Sequence, residues 1–209
     1  QGQILRHLPD PASRGLSRRW AVMGIAFLGV FGAIGFARFG YSAILPSMQQ
    51  ALDLSGAAAG SLASWNLGAY MTMALIGGLI AARFGPRVVI TIGIGLTAMG
   101  MLLTGLSSGL ASASAARVLT GLGNGMVLAP SLALLASWFG ARQLGLASAV
   151  VSSGAALALV TTGPTVPLII AWGGDDGWRW AWYAFAAVAA FMGVLAGIFL
   201  RNRPSAVAA

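Results

Sequence analysis

Side chains able to do chemistry are scarce in this chain. Its one histidine is His7, its acids are Asp10, Asp53, Asp175 and Asp176, and it has no cysteine, lysine or glutamate. A nucleophile–histidine dyad, a metal cluster or a carboxylate pair cannot be built inside its apolar segments unless another chain supplies groups. Catalysis is therefore excluded, and neither a metal nor a cofactor is expected. What remains are arginines and amides embedded in apolar sequence: Arg38, Arg117, Asn66, Tyr70 and Asn124.

Arg38 lies 18 residues after Trp20 and eight before Pro46. In an apolar helix crossing a bilayer, a guanidinium facing lipid costs at least ~2.5–3.5 kcal/mol. It must snorkel over roughly 12 Å to the helix end, or face a cavity or a partner. No intramembrane carboxylate can pair with it. Its partner is then an outer aspartate, a backbone carbonyl, a group on another domain or an anionic ligand, and its planar fork suits a carboxylate or phosphate. Arg117 poses a milder version of the problem: an interfacial arginine near Asp175 and Asp176, or a functional one. Asn66 and Tyr70 are four residues apart, hence on one helical face, with Trp65 beside them. Asn124 follows Arg117 by seven, two turns along the same face. Amides at that depth either lock helices together or line a cavity.

The elements that must carry these groups follow from composition. The chain is 58% hydrophobic and only 8% charged, with mean hydropathy +0.85. Soluble domains carry about 25% charged residues, so an integral membrane protein is implied. Six apolar segments run about 20–46, 60–82, 88–108, 113–139, 144–171 and 178–200. Each is long enough to cross ~30 Å of hydrocarbon. They are continuously apolar rather than alternating, which excludes a barrel and predicts an all-α bundle. Residues 1–19 and 201–209 are read as tails. The chain starts with Gln1, so the translated start is expected to lie outside it, and no cleavable signal peptide is evident.

All twelve basic residues are arginines. With the N-terminus cytoplasmic, Arg6, Arg14, Arg18, Arg19, Arg83, Arg87, Arg142, Arg201 and Arg203 lie inside. Arg117 and Arg179 lie near the outer face. That bias predicts both termini in the cytoplasm of a cell membrane. The same count explains the pI of 11.7 without nucleic acid as a partner. Six of the seven tryptophans, all but Trp65, fall at segment ends, where interfacial indoles belong. Gly121/Gly125 and Gly193/Gly197 have the spacing that lets helices approach closely. Thr161-Thr162-Gly163-Pro164-Thr165-Val166-Pro167 interrupts segment five, and its prolines free carbonyls that need other partners.

Several stretches together resemble one family. Gly78-Leu79-Ile80-Ala81-Ala82-Arg83-Phe84-Gly85-Pro86-Arg87 is similar to G-x-x-x-D-R-x-G-R-R/K, the loop between helices two and three of major facilitator superfamily transporters. Gly78, Arg83, Gly85 and Arg87 match, while Ala82 replaces the acid and Pro86 a base. Arg117, Gly121 and Gly123 meet the fourth-helix pattern R-x-x-x-G-x-G. Gly163-Pro164 meets the fifth-helix pair, without the flanking glycines of antiporters, and Gly177-Trp178-Arg179-Trp180 opens a typical sixth helix. From Trp20 to Pro204 the chain resembles the N-terminal six-helix half of such a transporter. Gly35-x-x-Arg38-Phe39-x-Tyr41 and Leu45-Pro46-x-Met48 resemble a bacterial subgroup of largely unassigned substrate.

The resemblance implies a three-plus-three inverted repeat and alternating access, with segments one and four lining a central cavity. It implies gating roles for Gly78, Arg83, Gly85, Arg87, Gly163 and Pro164, although Ala82 leaves the loop's latch incomplete. The expected protein is half of a secondary transporter of the bacterial cytoplasmic membrane, moving a small anionic solute bound by Arg38, Asn66, Tyr70, Arg117 and Asn124. A coupling proton would ride on the solute or on the second six-helix half. That half comes from the same gene, a separate chain or a second copy. The competing expectation is a truncated, non-transporting membrane protein that associates with a full-length carrier.

Overall fold

A computed structural model describes the backbone of residues 11–202 and side chains from Arg18 onward. The tail readings at Arg6, His7, Asp10, Arg203 and residues 203–209, and the side chain of Arg14, lie outside the described residues. Every described element is helical. The first helix runs without a break from α1 (Pro11–Val30) through a π-helix (Phe31–Phe39) into α2 (Gly40–Ala51). It is followed by α3 (Gly56–Phe84), α4 (Pro86–Gly105), α5 (Leu110–Gly125), α6 (Leu128–Trp138) and α7 (Ala141–Gly173). A 3₁₀ turn at Gly174–Asp176 leads into α8 (Gly177–Phe199). Five continuous stretches are long and apolar enough to cross a membrane: Arg18–Ala51, Gly56–Phe84, Pro86–Gly105, Leu110–Trp138 and Ala141–Phe199.

Local chemistry sets the boundaries. The Ser55 hydroxyl caps α3 by accepting the Ala58 N–H at 3.2 Å, satisfying one orphan donor of its first turn. Gly85, at φ +86°, ends α3, and Pro86 starts α4 at the position where a missing N–H costs nothing. Between α5 and α6 the chain tightens: Met126 N–H donates to Gly123 O and Val127 N–H to Asn124 O. Pro130 cannot donate to Met126 O, which weakens the ladder there. The prolines of α7 behave differently from a break. The helix is continuous through Pro164 and Pro167. Thr161, Thr162 and Thr165 donate to Ala158 O, Leu159 O and Thr161 O, so these hydroxyls serve neighbouring carbonyls rather than those the prolines free.

Two large core clusters and a small one at Ala81, Val89 and Met126 fill the bundle. One holds Tyr41, Ile44, Met48, Leu62, Met101, Trp178, Trp182 and Phe185, with Phe36 and Phe185 stacked at 4.5 Å. The other holds Val22, Val30, Ile90, Ile94, Leu134, Val151 and Leu200. Backbones meet closely between α3 and α5: a Cβ on Gly121 would stand 2.2 Å from Asn66 O, and one on Gly125 2.7 Å from Tyr70 O. Without a hydrophobic force between helices in lipid, such contact supplies much of the association.

The two ends of the bundle differ in charge. Arg18, Arg19, Arg83, Arg87, Arg142 and Arg201 gather where α1, α4 and α7 begin and where α3, α6 and α8 end. Here Trp138 Nε1 donates to Arg201 O at 3.1 Å, and Ser137 Oγ to Asn202 O at 3.2 Å. Asp53, Asp175 and Asp176 lie at the opposite end. There Arg179 pairs with Asp176 at 3.1 Å and donates to Gly105 O and Ser107 O.

Candidate functional site

The five polar residues singled out from sequence divide into two groups. Arg117 is only 1% exposed and projects from α5 into the core. Its Nη1 donates to Ala37 O at 2.9 Å, reaching across to the π-helix. Its guanidinium carbon lies 4.4 Å from the Tyr41 ring centroid and 5.5 Å from that of Trp182. Among the described residues no carboxylate approaches it, and its Nε has no hydrogen-bond partner. Two π faces and one carbonyl therefore replace the counter-ion; a desolvated cation–π contact contributes ~2 kcal/mol or more. The pairing with Asp175 or Asp176 open from sequence is not formed, since Asp176 pairs with Arg179.

Asn66 and Asn124 belong to the same buried layer. Asn66 Nδ2 donates to Arg117 O at 2.9 Å, tying α3 to α5 beside the Gly121 contact. Asn124 Oδ1 accepts from Thr97 Oγ1 at 3.0 Å, tying α5 to α4. Asn66 is 5% and Asn124 1% exposed. Both amides join helices.

Arg38 and Tyr70 form the second group. Arg38 is exposed, one residue from the carbonyl that Arg117 holds. Its guanidinium carbon lies 5.1 Å from the half-buried Tyr70 ring on α3, and it makes no hydrogen bond or ion pair among the described residues. One free guanidinium stands on an aromatic platform, with five donors in a fixed fork. It can take a carboxylate or a phosphate in two parallel bonds. Arg38 lies near the end of the π-helix, where Ala37 is buried and Arg38 is exposed. Such π segments recur at functional sites.

The loop residues sit at the arginine-rich end. Gly78, Arg83 and Gly85 line a cleft of about 770 Å³ with Pro130, Ser137 and Asn202. Arg83 lies 5.6 Å from the Phe84 ring. Arg87 turns away from that cleft; its backbone N–H donates to Asn202 Oδ1 at 2.8 Å and its Nη2 donates to Gly197 O. Gly163 and Pro164 lie on an exposed face of α7. Sequence reasoning missed the π-helix, the Tyr41–Trp182 cage, Thr97 and Asn202. Tyr41 had a signal, since it lies three residues from Arg38 in a motif already quoted; the others depend on contacts far apart in the chain.

Comparison with known proteins now bears on this geometry. The profile of the family described as Major Facilitator Superfamily matches residues 26–209. The chain belongs to the major facilitator superfamily. Members of this superfamily are membrane transporters rather than enzymes. No curated protein matches the sequence. Among solved structures, the proton:xylose symporter XylE bound to 6-bromo-6-deoxy-D-glucose is 18% identical, with TM-score 0.74 over 87% of this chain and 45% of that one. The inward open xylose transporter XylE from E. coli is also 18% identical, with TM-score 0.74 over 89% and 49%. A bacterial homologue of the human lysosomal transporter Spinster, inward-facing and unoccupied, is 13% identical, with TM-score 0.65 over 91% and 44%. The superfamily fold is thus shared, and the chain spans about half the length of these structures.

Proposed function

We propose that this chain forms one six-helix half of a secondary active transporter that moves a small anionic organic solute by alternating access. The observation that carries the reading is Arg38: an exposed, unpaired guanidinium stacked on Tyr70, within a continuous apolar helix. Leaving it to lipid is costly, and a carboxylate or phosphate of the solute supplies the missing partner. Tyr70 holds the guanidinium in place. Arg117 acts from beneath, gripping the carbonyl of Ala37 and so fixing the π segment that aims Arg38. Asn66 and Asn124 keep α3, α4 and α5 in register around it.

Six crossings are supported by the 59-residue stretch Ala141–Phe199. As one straight helix it would extend about 90 Å, three times the hydrocarbon thickness. It divides instead at Gly174, at φ +58°, and α7 and α8 count as separate spans. A three-plus-three repeat then follows, with both ends on the arginine-rich, cytoplasmic side of a bacterial cell membrane. On that side the Gly78–Arg87 loop meets the second six-helix half and gates access, while Gly163 and Pro164 lie on the face that moves. No span carries a carboxylate, so a coupling proton travels on the solute or on the second half.

Binding to the purified complete transporter tests this reading with a panel of small carboxylates and organic phosphates against neutral sugars. Anions that raise its melting temperature and compete with one another support it. A response to neutral sugars alone would overturn the anionic assignment.

A further inference from the structure

The exposed face around Arg38 is polar where other exposed faces are not. α4 and α8 turn Ile92, Met99, Leu102, Val188, Phe191 and Val194 outward, side chains as apolar as lipid tails. On the first helix, Arg38 is followed one turn later by Ser42, and both are exposed. Half-buried Tyr70 stands beside Arg38, and its hydroxyl has no hydrogen-bond partner among the described residues. A guanidinium, a phenol and a hydroxyl gathered on one surface belong against water and solute rather than acyl chains.

These groups differ in what they offer a solute. A guanidinium has donors alone and takes the anionic end. Ser42 is committed in the opposite sense, because its hydroxyl donates to Phe39 O at 2.8 Å. With that proton used, the lone pairs remaining on Oγ can only accept. Back-bonding of this kind occurs in many membrane helices; here it leaves an acceptor open one turn from an unpaired arginine. The solute must therefore bring a donor, and a neutral one. No span carries a carboxylate, so an ammonium would stand near Arg38 with nothing to offset its charge. Residues four apart on a helix have Cβ atoms about 5–6 Å apart, and Arg38 reaches away toward Tyr70 on α3. The donor then lies several carbons from the anionic group. Given the anion proposed for Arg38, we infer that Ser42 selects hydroxylated organic acids, accepting a hydrogen bond from a solute hydroxyl while Arg38 holds the carboxylate.

Binding of hexanoate, ω-hydroxyhexanoate and ω-aminohexanoate to the purified complete transporter, followed by isothermal titration calorimetry, tests this role. Ser42→Ala removes the acceptor at an exposed helical position and raises helix propensity, so the variant should fold. It should weaken ω-hydroxyhexanoate about fivefold, the factor for one neutral hydrogen bond, and leave hexanoate unchanged. Ser42→Thr keeps a hydroxyl and should restore the hydroxy acid. If the ratio of the two affinities is the same in Ser42→Ala as in wild type, Ser42 does not read the hydroxyl, although Arg38-dependent hexanoate binding would keep the anion site standing. ω-Aminohexanoate binding as tightly as the hydroxy acid would overturn the neutral donor. Failure of wild type to bind either acid, or hexanoate binding that Arg38→Gln leaves intact, would overturn the anion site and with it the role of Ser42.

Discussion

Replacing Arg117 removes opposing terms of similar size, so a single substitution is a poor probe. Arg117→Met relieves the desolvation of a buried charge, worth ~2.5–3.5 kcal/mol within a membrane span. It also breaks the charge-assisted bond to Ala37 O, worth ~1.5–3 kcal/mol, and the contacts with Tyr41 and Trp182. A double-mutant cycle with Tyr41→Leu isolates one term. The desolvation of the guanidinium and the unrelated Tyr41 bond to Ala59 O at 2.8 Å cancel from the coupling. With the buried cation 4.4 Å from the ring centroid, the coupling should be about 2 kcal/mol, roughly 30-fold in the unfolding constant. The chain has no cysteine, so one thiol introduced at buried Ala147 reports unfolding without background when its alkylation is followed against denaturant. A coupling below ~0.5 kcal/mol, the limit of additivity for independent sites, would refute the view that aromatic faces stand in for a counter-ion.

Three further outcomes follow from the packing and the loops. Gly121→Leu should cost about 3 kcal/mol or abolish folding, because its Cβ would meet Asn66 O at 2.2 Å; Gly68→Ala, facing open space, should be neutral or stabilising by up to ~1 kcal/mol in the same denaturation assay. Asn202→Ala removes the acceptor for Arg87 N–H at the start of α4. At about 1 kcal/mol per cap it should speed hydrogen exchange at Arg87 about fivefold while leaving mid-helix amides of α4 protected. Reporter fusions after Arg87 and after Gly140 should score as cytoplasmic, and one after Asp176 as external; reversal of these would overturn the proposed orientation.

What was readable from sequence depended on range. Composition and continuous apolarity require only local counting, and they led to a helical membrane protein whose loop motifs lie in family order. Arg38 and Arg117 were conspicuous because a guanidinium in apolar sequence is costly wherever the chain goes next. Their separate surroundings were not readable. Both arginines belong to apolar helices, and only the packing of α5 against the π-helix buries one beneath the other's backbone. The two asparagines carried two alternatives from sequence, cavity lining or helix locking, and their partners Arg117 O and Thr97 Oγ1 lie 51 and 27 residues away. The π-helix escaped because its letters, Phe31-Gly32-Ala33-Ile34-Gly35-Phe36-Ala37-Arg38-Phe39, read as ordinary apolar helix. The Gly163-Pro164 run read as a break because proline lacks a donor, yet α7 passes straight through it.

The central claim is that Arg38 receives an anion. The direct measurement is the dissociation constant of the best-binding anionic solute for the complete transporter with Arg38, Arg38→Lys and Arg38→Gln, each variant checked for an unchanged melting temperature. Loss of a charge-assisted, bidentate contact should weaken binding about 10- to 100-fold in Arg38→Gln, with Arg38→Lys between. An Arg38→Gln protein that binds and takes up the solute as wild type does would contradict the account.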